Sequence, residues 1–239
     1  MRTINKGAEP RELIQWKADN VTTPGNLVYG GGGFPGEAVR KSLLLEQLHL
    51  CAYTMKHLKT IGECNKEDLD TRASCHVEHI LPQARNVAGE DIDYQNMVAC
   101  YPPSGSKIAC MYGAKAKGSF DPSMGAFVSP LSPKAEHHFK FDNEGGIKGL
   151  TENGKATIRV LKLDDSALVN DRASVIKGIL YPKGLPISAA MARRMANQVM
   201  QADGDQCLHP FCTAVASAAL AFADRSERRA NRLRKKGNQ

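Results

Sequence analysis

The chain has no apolar run approaching the roughly 18 residues that a membrane-spanning helix needs, so no span is expected. Its opening, Met1 to Glu9, is polar and lacks the apolar segment of a signal peptide. A cytoplasmic location is the expectation that follows. The cysteines number seven, an odd count with no export signal beside it, which argues against a disulfide framework. Metal ligands and buried thiols are the expected uses. The glycine run Gly30 to Gly33 is not followed by Gly-Lys-Ser/Thr, which excludes a phosphate loop and leaves a flexible connector. Internal repeats and low-complexity segments are also lacking.

What is present is enough apolar material for a packed core, 42% of 239 residues. That length suits one large domain, or a small catalytic domain with helical flanks. The net charge is +7, and it is uneven. From Asp224 to Gln239 stand Arg225, Arg228, Arg229, Arg232, Arg234, Lys235 and Lys236 against Asp224 and Glu227, which is +5 and leaves +2 for the rest. Such a tail suits phosphate contacts or, with equal weight, a solvated helix end.

Apolar spacing predicts helices over Pro10–Asp19, Glu37–Leu50, Glu152–Leu163, Asp165–Leu180, Ile187–Met200 and Cys212–Lys236. Trp16 is expected to pack beside Leu13 and Ile14. Between the second and third helices lies a stretch of short elements, turns, cysteine and histidine.

Its sharpest segment is His76-Val77-Glu78-His79-Ile80-Leu81-Pro82. A carboxylate beside a histidine offers an oxygen ligand for Mg²⁺ or Mn²⁺ and a base to take a proton from water. Adjacent side chains on a strand point apart, so a bend or strand end must bring both to one site. Asn96 follows His79 by seventeen residues, a distance that suits a hairpin returning Asn96 to orient the histidine backbone or ring. Around this motif stand Cys51, Cys75, Cys100 and Cys110, a candidate tetrahedral frame for structural zinc, with His57, Cys64 or His76 as replacements for one ligand. Ordinary buried thiols are the competing reading. Thr54 in Cys51-Ala52-Tyr53-Thr54 denies the frame a CxxC pair. His137-His138 reads as a polar loop pair, and Cys212 as a core thiol of an Ala-rich helix rather than part of a second cluster with Cys207 and His209.

The pattern Cys51-Ala52-Tyr53, His76-Val77-Glu78-His79-Ile80-Leu81-Pro82-Gln83, Tyr94-Gln95-Asn96 and Cys100 resembles the HNH endonucleases. More narrowly it is similar to the HNH nuclease subunit (PtuB) of Septu-type and some retron-associated anti-phage systems. Further likeness lies in Met1-Arg2-Thr3-Ile4 with Lys6 and Pro10, in Ser129-Pro130-Leu131, Glu136, Phe139 and Gly146, and from Gly149-Leu150 through Leu161; it covers the chain to about Leu180. The resemblance implies Glu78 as metal ligand, His79 as general base, Asn96 as the middle asparagine, and Cys51, Cys100 and Cys110 as zinc-frame positions. Two departures stand out. Thr54 replaces a common second cysteine, for which Cys75 can compensate. The third motif residue, expected after Cys110, has no match, because Met111, Tyr112, Gly113 and Ala114 are not hard ligands; Asp121 or water are the substitutes. Lys115 and Lys117 fall where a phosphate is held, or on a solvated face. The resemblance also implies a partner, an ATPase subunit related to SMC and ABC proteins (PtuA-like).

The expected fold is α+β: a zinc-braced ββα-metal core over 51–121, an N-terminal helical arm and loop over 1–50, and a C-terminal helical region with a basic tail over 122–239. The expected function is metal-dependent cleavage of DNA in anti-phage defence. The alternative is a non-catalytic, zinc-stapled module for nucleic-acid binding or assembly.

Overall fold

A computed structural model describes residues 1–237, with side chains through Leu233. Arg234, Lys235 and Lys236 of the basic tail lie outside the described side chains. The fold is α+β, with two small antiparallel sheets.

Pro10 caps helix α1 (Arg11–Asp19), which buries Leu13 and Trp16. Helix α2 (Gly36–Glu46) buries Val39, Leu43 and Leu44. It stops short of the Leu50 expected from spacing, because Leu48 and His49 take left-handed backbone at φ 50° and 59°. This turn brings Leu50 into a bridge with His57. Helix α3 (Ile61–Lys66) was not expected, yet its start is written in a capping box: Thr60 accepts from the Glu63 amide and Glu63 accepts from the Thr60 amide.

Strand β1 (His76–His79) pairs antiparallel with β2 (Met97–Cys100), His76 opposite Cys100 and His79 opposite Met97. A two-stranded sheet has two open edges, and the outer edge of β2 lies in the core. Buried Gln47 closes it, accepting from the Ala99 amide at 2.7 Å and donating to its carbonyl at 2.8 Å. Helix α4 (Ala114–Lys117), a single turn, follows between Gly113 and Gly118, both at positive φ.

The region over 122–239, expected to be helical mostly from Thr151 onward, also holds a short sheet before that point. Strands β3 (Phe139–Phe141) and β4 (Ile147–Gly149) form a hairpin whose alternation is too short to read, with Phe139 and Phe141 buried against the core. Then come α5 (Glu152–Leu161), α6 (Ser166–Leu180), α7 (Ala189–Gln198) and α8 (Cys212–Gly237). Thr151, Asp165 and Ser188 cap α5, α6 and α7 through their side-chain oxygens. The buried face of α8 carries Ala214, Ala218, Ala219 and Ala223 with the larger Val215 and Phe222, and Cys212 at its start. Beyond Ala223 the helix leaves the body, and Arg225, Arg228, Arg229 and Arg232 are exposed. One apolar core runs from Met1 to Ala223 through all three stretches. Among the described residues, no helix is long and apolar enough to cross a membrane.

Candidate active site

His79 is the last residue of β1, and there the strict alternation of strand side chains lapses. Glu78 and His79 therefore line one open cavity of about 260 Å³, together with Tyr29, Val77, Pro82, Gln83, Ala84 and Lys117.

The His79 ring is held on two sides. Nε2 lies 2.8 Å from the Asp91 carbonyl oxygen. A carbonyl only accepts, so Nε2 donates, and the neutral ring keeps its lone pair on Nδ1. The Tyr29 ring stands edge-on at 4.7 Å between centroids. Asp91 also holds Tyr29, whose amide donates to Oδ2 at 2.8 Å. Burial pushes the His79 pKa below its ordinary value, with the Asp91 carbonyl pulling the other way and the charge of Lys117 adding to the depression. The ring is thus neutral at pH 7, as a proton acceptor must be.

Asn96 sits 6% exposed, one residue before β2, and pins the loop that leaves β1. Its Oδ1 accepts from the Leu81 amide at 2.8 Å, and its Nδ2 donates to the Leu81 and Glu90 carbonyls at 3.1 and 3.0 Å. The sequence predicts that Asn96 orients the histidine backbone or ring; its side-chain bonds instead hold Leu81, two residues beyond His79, and Glu90. The ring itself is oriented by Asp91.

Glu78 is mostly buried, and burial pushes its carboxyl pKa up. The charge of Lys117 opposes that shift. Lys117 Nζ lies 2.9 Å from Glu78 Oε1 and donates to the His79 carbonyl at 2.9 Å. The contact with Oε1 is one of charge, since that buried oxygen receives no directed hydrogen bond. The other carboxylate oxygen, Oε2, faces His76 Nε2 at 3.9 Å.

Several expectations need revision. Lys117 is buried, so it is neither on a solvated face nor free to reach outward; Lys115 is exposed. Asp121 does not reach Glu78: it is bonded by Arg85 at 2.6 Å and by Ser123, and it does not line the cavity. The glycine run is not a loose connector. Trp16 Nε1 donates to the Gly32 carbonyl at 2.9 Å, and Trp16 and Tyr29 both pack edge-on against Phe34, which seats Tyr29 on His79. Gly31 has no room for a Cβ, which would stand 2.3 Å from the Asn26 carbonyl oxygen.

Of the four candidate zinc cysteines, all are buried, and Cys51 and Cys100 are brought together. Burial raises the Cys51 thiol, but hydrogen bonds from Cys100, Thr54 and the Tyr101 amide outweigh it and bring the pKa to about 5. Burial and the neighbouring Cys51 push Cys100 up, so the pair loses one proton readily and the second with difficulty. Thr54, standing where a second cysteine was looked for, serves Cys51 as a donor. Cys110 donates to the Tyr112 carbonyl at 3.4 Å. Among the described residues, no three His, Cys, Asp or Glu side chains are arranged to hold an ion. His138 donates to or accepts from Thr151 at 2.6 Å, and Cys212 packs in the core.

The residues that sequence reasoning missed are Lys117 as a partner of Glu78, Tyr29 and Asp91 as the holders of His79, and Gln47 behind β2. Compared with known proteins, the chain matches no family model and no curated relative.

Proposed function

We propose that the chain is a metal-dependent endonuclease of the HNH type that hydrolyses phosphodiester bonds in DNA. The observation that carries this reading is the pairing, in one open cavity, of Glu78 with a histidine whose Nε2 is tied to a backbone carbonyl and whose Nδ1 is left as the acceptor. A ring fixed this way takes a proton on one defined atom.

In the proposed reaction, Nδ1 of His79 accepts a proton from water as the water oxygen bonds to phosphorus. The bond from phosphorus to the leaving sugar oxygen breaks, and that oxygen is protonated from solvent. Asp91 keeps the ring from swinging out of line, and Asn96 pins the loop beyond it. A divalent cation would be held at Glu78, whose Oε1 faces the Lys117 ammonium and whose Oε2 faces His76. When bound there, it neutralises the charge on the phosphate and leaving oxygen. Mg²⁺ and Mn²⁺ are the candidates. Structural zinc enters no step of this reaction; its proposed ligands are Cys51, Cys75, Cys100 and Cys110, all of them buried. The exposed arginines of α8 supply phosphate contacts that carry no base information, so weak sequence preference is expected. Action beside an SMC/ABC-type ATPase in anti-phage defence is proposed on the resemblance alone.

The test is pure protein with supercoiled plasmid and Mg²⁺ or Mn²⁺. Conversion to nicked and linear forms is the expected result. Tight DNA binding without cleavage, also in the presence of the ATPase, would replace the enzyme by a non-catalytic binding module.

A further inference from the structure

His76 has no role in the reaction above, yet its placement is specific. It lies two residues before Glu78 on β1, and residues so spaced share a face of a strand. Its Nδ1 lies 2.6 Å from the Pro102 carbonyl oxygen. That oxygen can only accept, so Nδ1 donates, which leaves Nε2 as the ring nitrogen available to a ligand. Nε2 is the atom that faces Glu78 Oε2 at 3.9 Å. Two lone-pair donors at this separation do not bond to each other. They do span an ion that sits about 2.0–2.2 Å from each. The carbonyl behind the ring is the arrangement by which ligating histidines are usually oriented. Lys117 completes the arrangement by occupying the opposite carboxylate oxygen, Oε1.

We propose that His76 is the second protein ligand of the cation at Glu78, and that the site takes a first-row transition ion such as Mn²⁺ in preference to Mg²⁺. The proposal rests on the reading of Glu78 as a cation ligand. It answers the loss of a third motif residue on α4, where Ala114 and Lys115 offer no ligand and Asp121 is held by Arg85. The preference follows from ligand chemistry. Mg²⁺ favours oxygen and water, whereas an imidazole nitrogen suits the transition ions.

The experiment is a Mn²⁺ titration of the full chain followed by electron paramagnetic resonance, with pulsed detection of nitrogen coupled to the bound ion. Wild type, His76→Ala, His76→Gln, Glu78→Ala and His79→Ala are compared, with melting curves to confirm folding. The expected result is Mn²⁺ bound with a histidine nitrogen coupling in wild type and in His79→Ala. Both His76 variants are expected to lose that coupling and to bind Mn²⁺ at least about tenfold more weakly, with a smaller change for Mg²⁺ by calorimetry. Wild-type Mn²⁺ without nitrogen coupling would overturn the proposal, a readout that needs no variant to fold. Loss of binding in Glu78→Ala with unchanged binding in folded His76 variants would also overturn it while leaving the Glu78 site standing. Absence of Mn²⁺ binding by wild type would overturn both the ligand and the cation site, whereas the hydrolase reading is judged separately by plasmid cleavage.

Discussion

The carbonyl oxygen of Asp91 receives the Nε2 proton of His79 at 2.8 Å, and this bond decides which ring nitrogen can act as a base. The same residue holds the Tyr29 amide through its carboxylate, so one position joins the loop ahead of α2 to the end of β1. Around that joint the structure separates residues that shape the site from residues that perform chemistry in it.

Asn96 belongs to the first group. Replacing it by Ala removes three hydrogen bonds and leaves the Leu81 and Glu90 backbone groups without their partners. Buried groups left unpaired cost about 1–3 kcal/mol each before relaxation and water entry. Asn96→Ala is therefore expected to lower stability by roughly 2 kcal/mol in urea unfolding and to lose cleavage as well. His79→Ala is expected to lose cleavage, and stability by about 1–3 kcal/mol, because the ring is buried and bonded to the Asp91 carbonyl.

Lys117 is the strongest stability claim. Its side chain is 1% exposed, and its removal leaves Glu78 charged and unpaired or forces it to take a proton. Breaking such a pair costs roughly 3–5 kcal/mol. Lys117→Met is expected to fall in that range by denaturant unfolding, and the double variant Lys117→Met/Glu78→Gln to recover much of the loss. Equal additive losses would show that the pair is not coupled.

Elemental analysis tests the cysteine frame. About one equivalent of zinc in the purified chain, lost in Cys51→Ser, is the result expected of a structural site. Metal-free, well-folded protein would leave Cys51 and Cys100 as a buried thiol pair that shares its protons unequally.

Among the described residues of α8 beyond Ala223, Asp224 and Glu227 form exposed pairs with Arg193. Exposed pairs contribute about 0–1 kcal/mol, so truncation after Ala223 should leave the melting temperature nearly unchanged. DNA affinity should fall, and the slope of log affinity against log salt should flatten. An unchanged slope would return the tail to solubility.

Local signals made much of this molecule legible. Apolar spacing marked α1 and α5 to α8 within a few residues, and the distance from His79 to Asn96 anticipated the hairpin of β1 and β2. What stayed hidden depends on contacts far apart in sequence. Ala114-Lys115-Ala116-Lys117 looks solvated until packing buries Lys117 against Glu78, and Gly30 to Gly33 looks slack until Trp16 and Phe34 fix it. The early end of α2 at Glu46 follows from Leu48 and His49 adopting backbone that their side chains ordinarily disfavour. Three-residue strands such as β3 carry too little alternation to announce themselves.

The most direct test of the central claim is the rate of plasmid cleavage against pH for wild type and His79→Ala. Burial lowers the His79 pKa, so the base is free at pH 7 and becomes protonated only as the pH falls through a value below its ordinary 6.5. Wild type is expected to hold its rate at neutral pH and lose it on that acid side. His79→Ala should run at least about a hundredfold slower and lack the histidine limb, with partial recovery on adding imidazole. A folded His79→Ala protein that cleaves at the wild-type rate with the same pH profile would contradict the account.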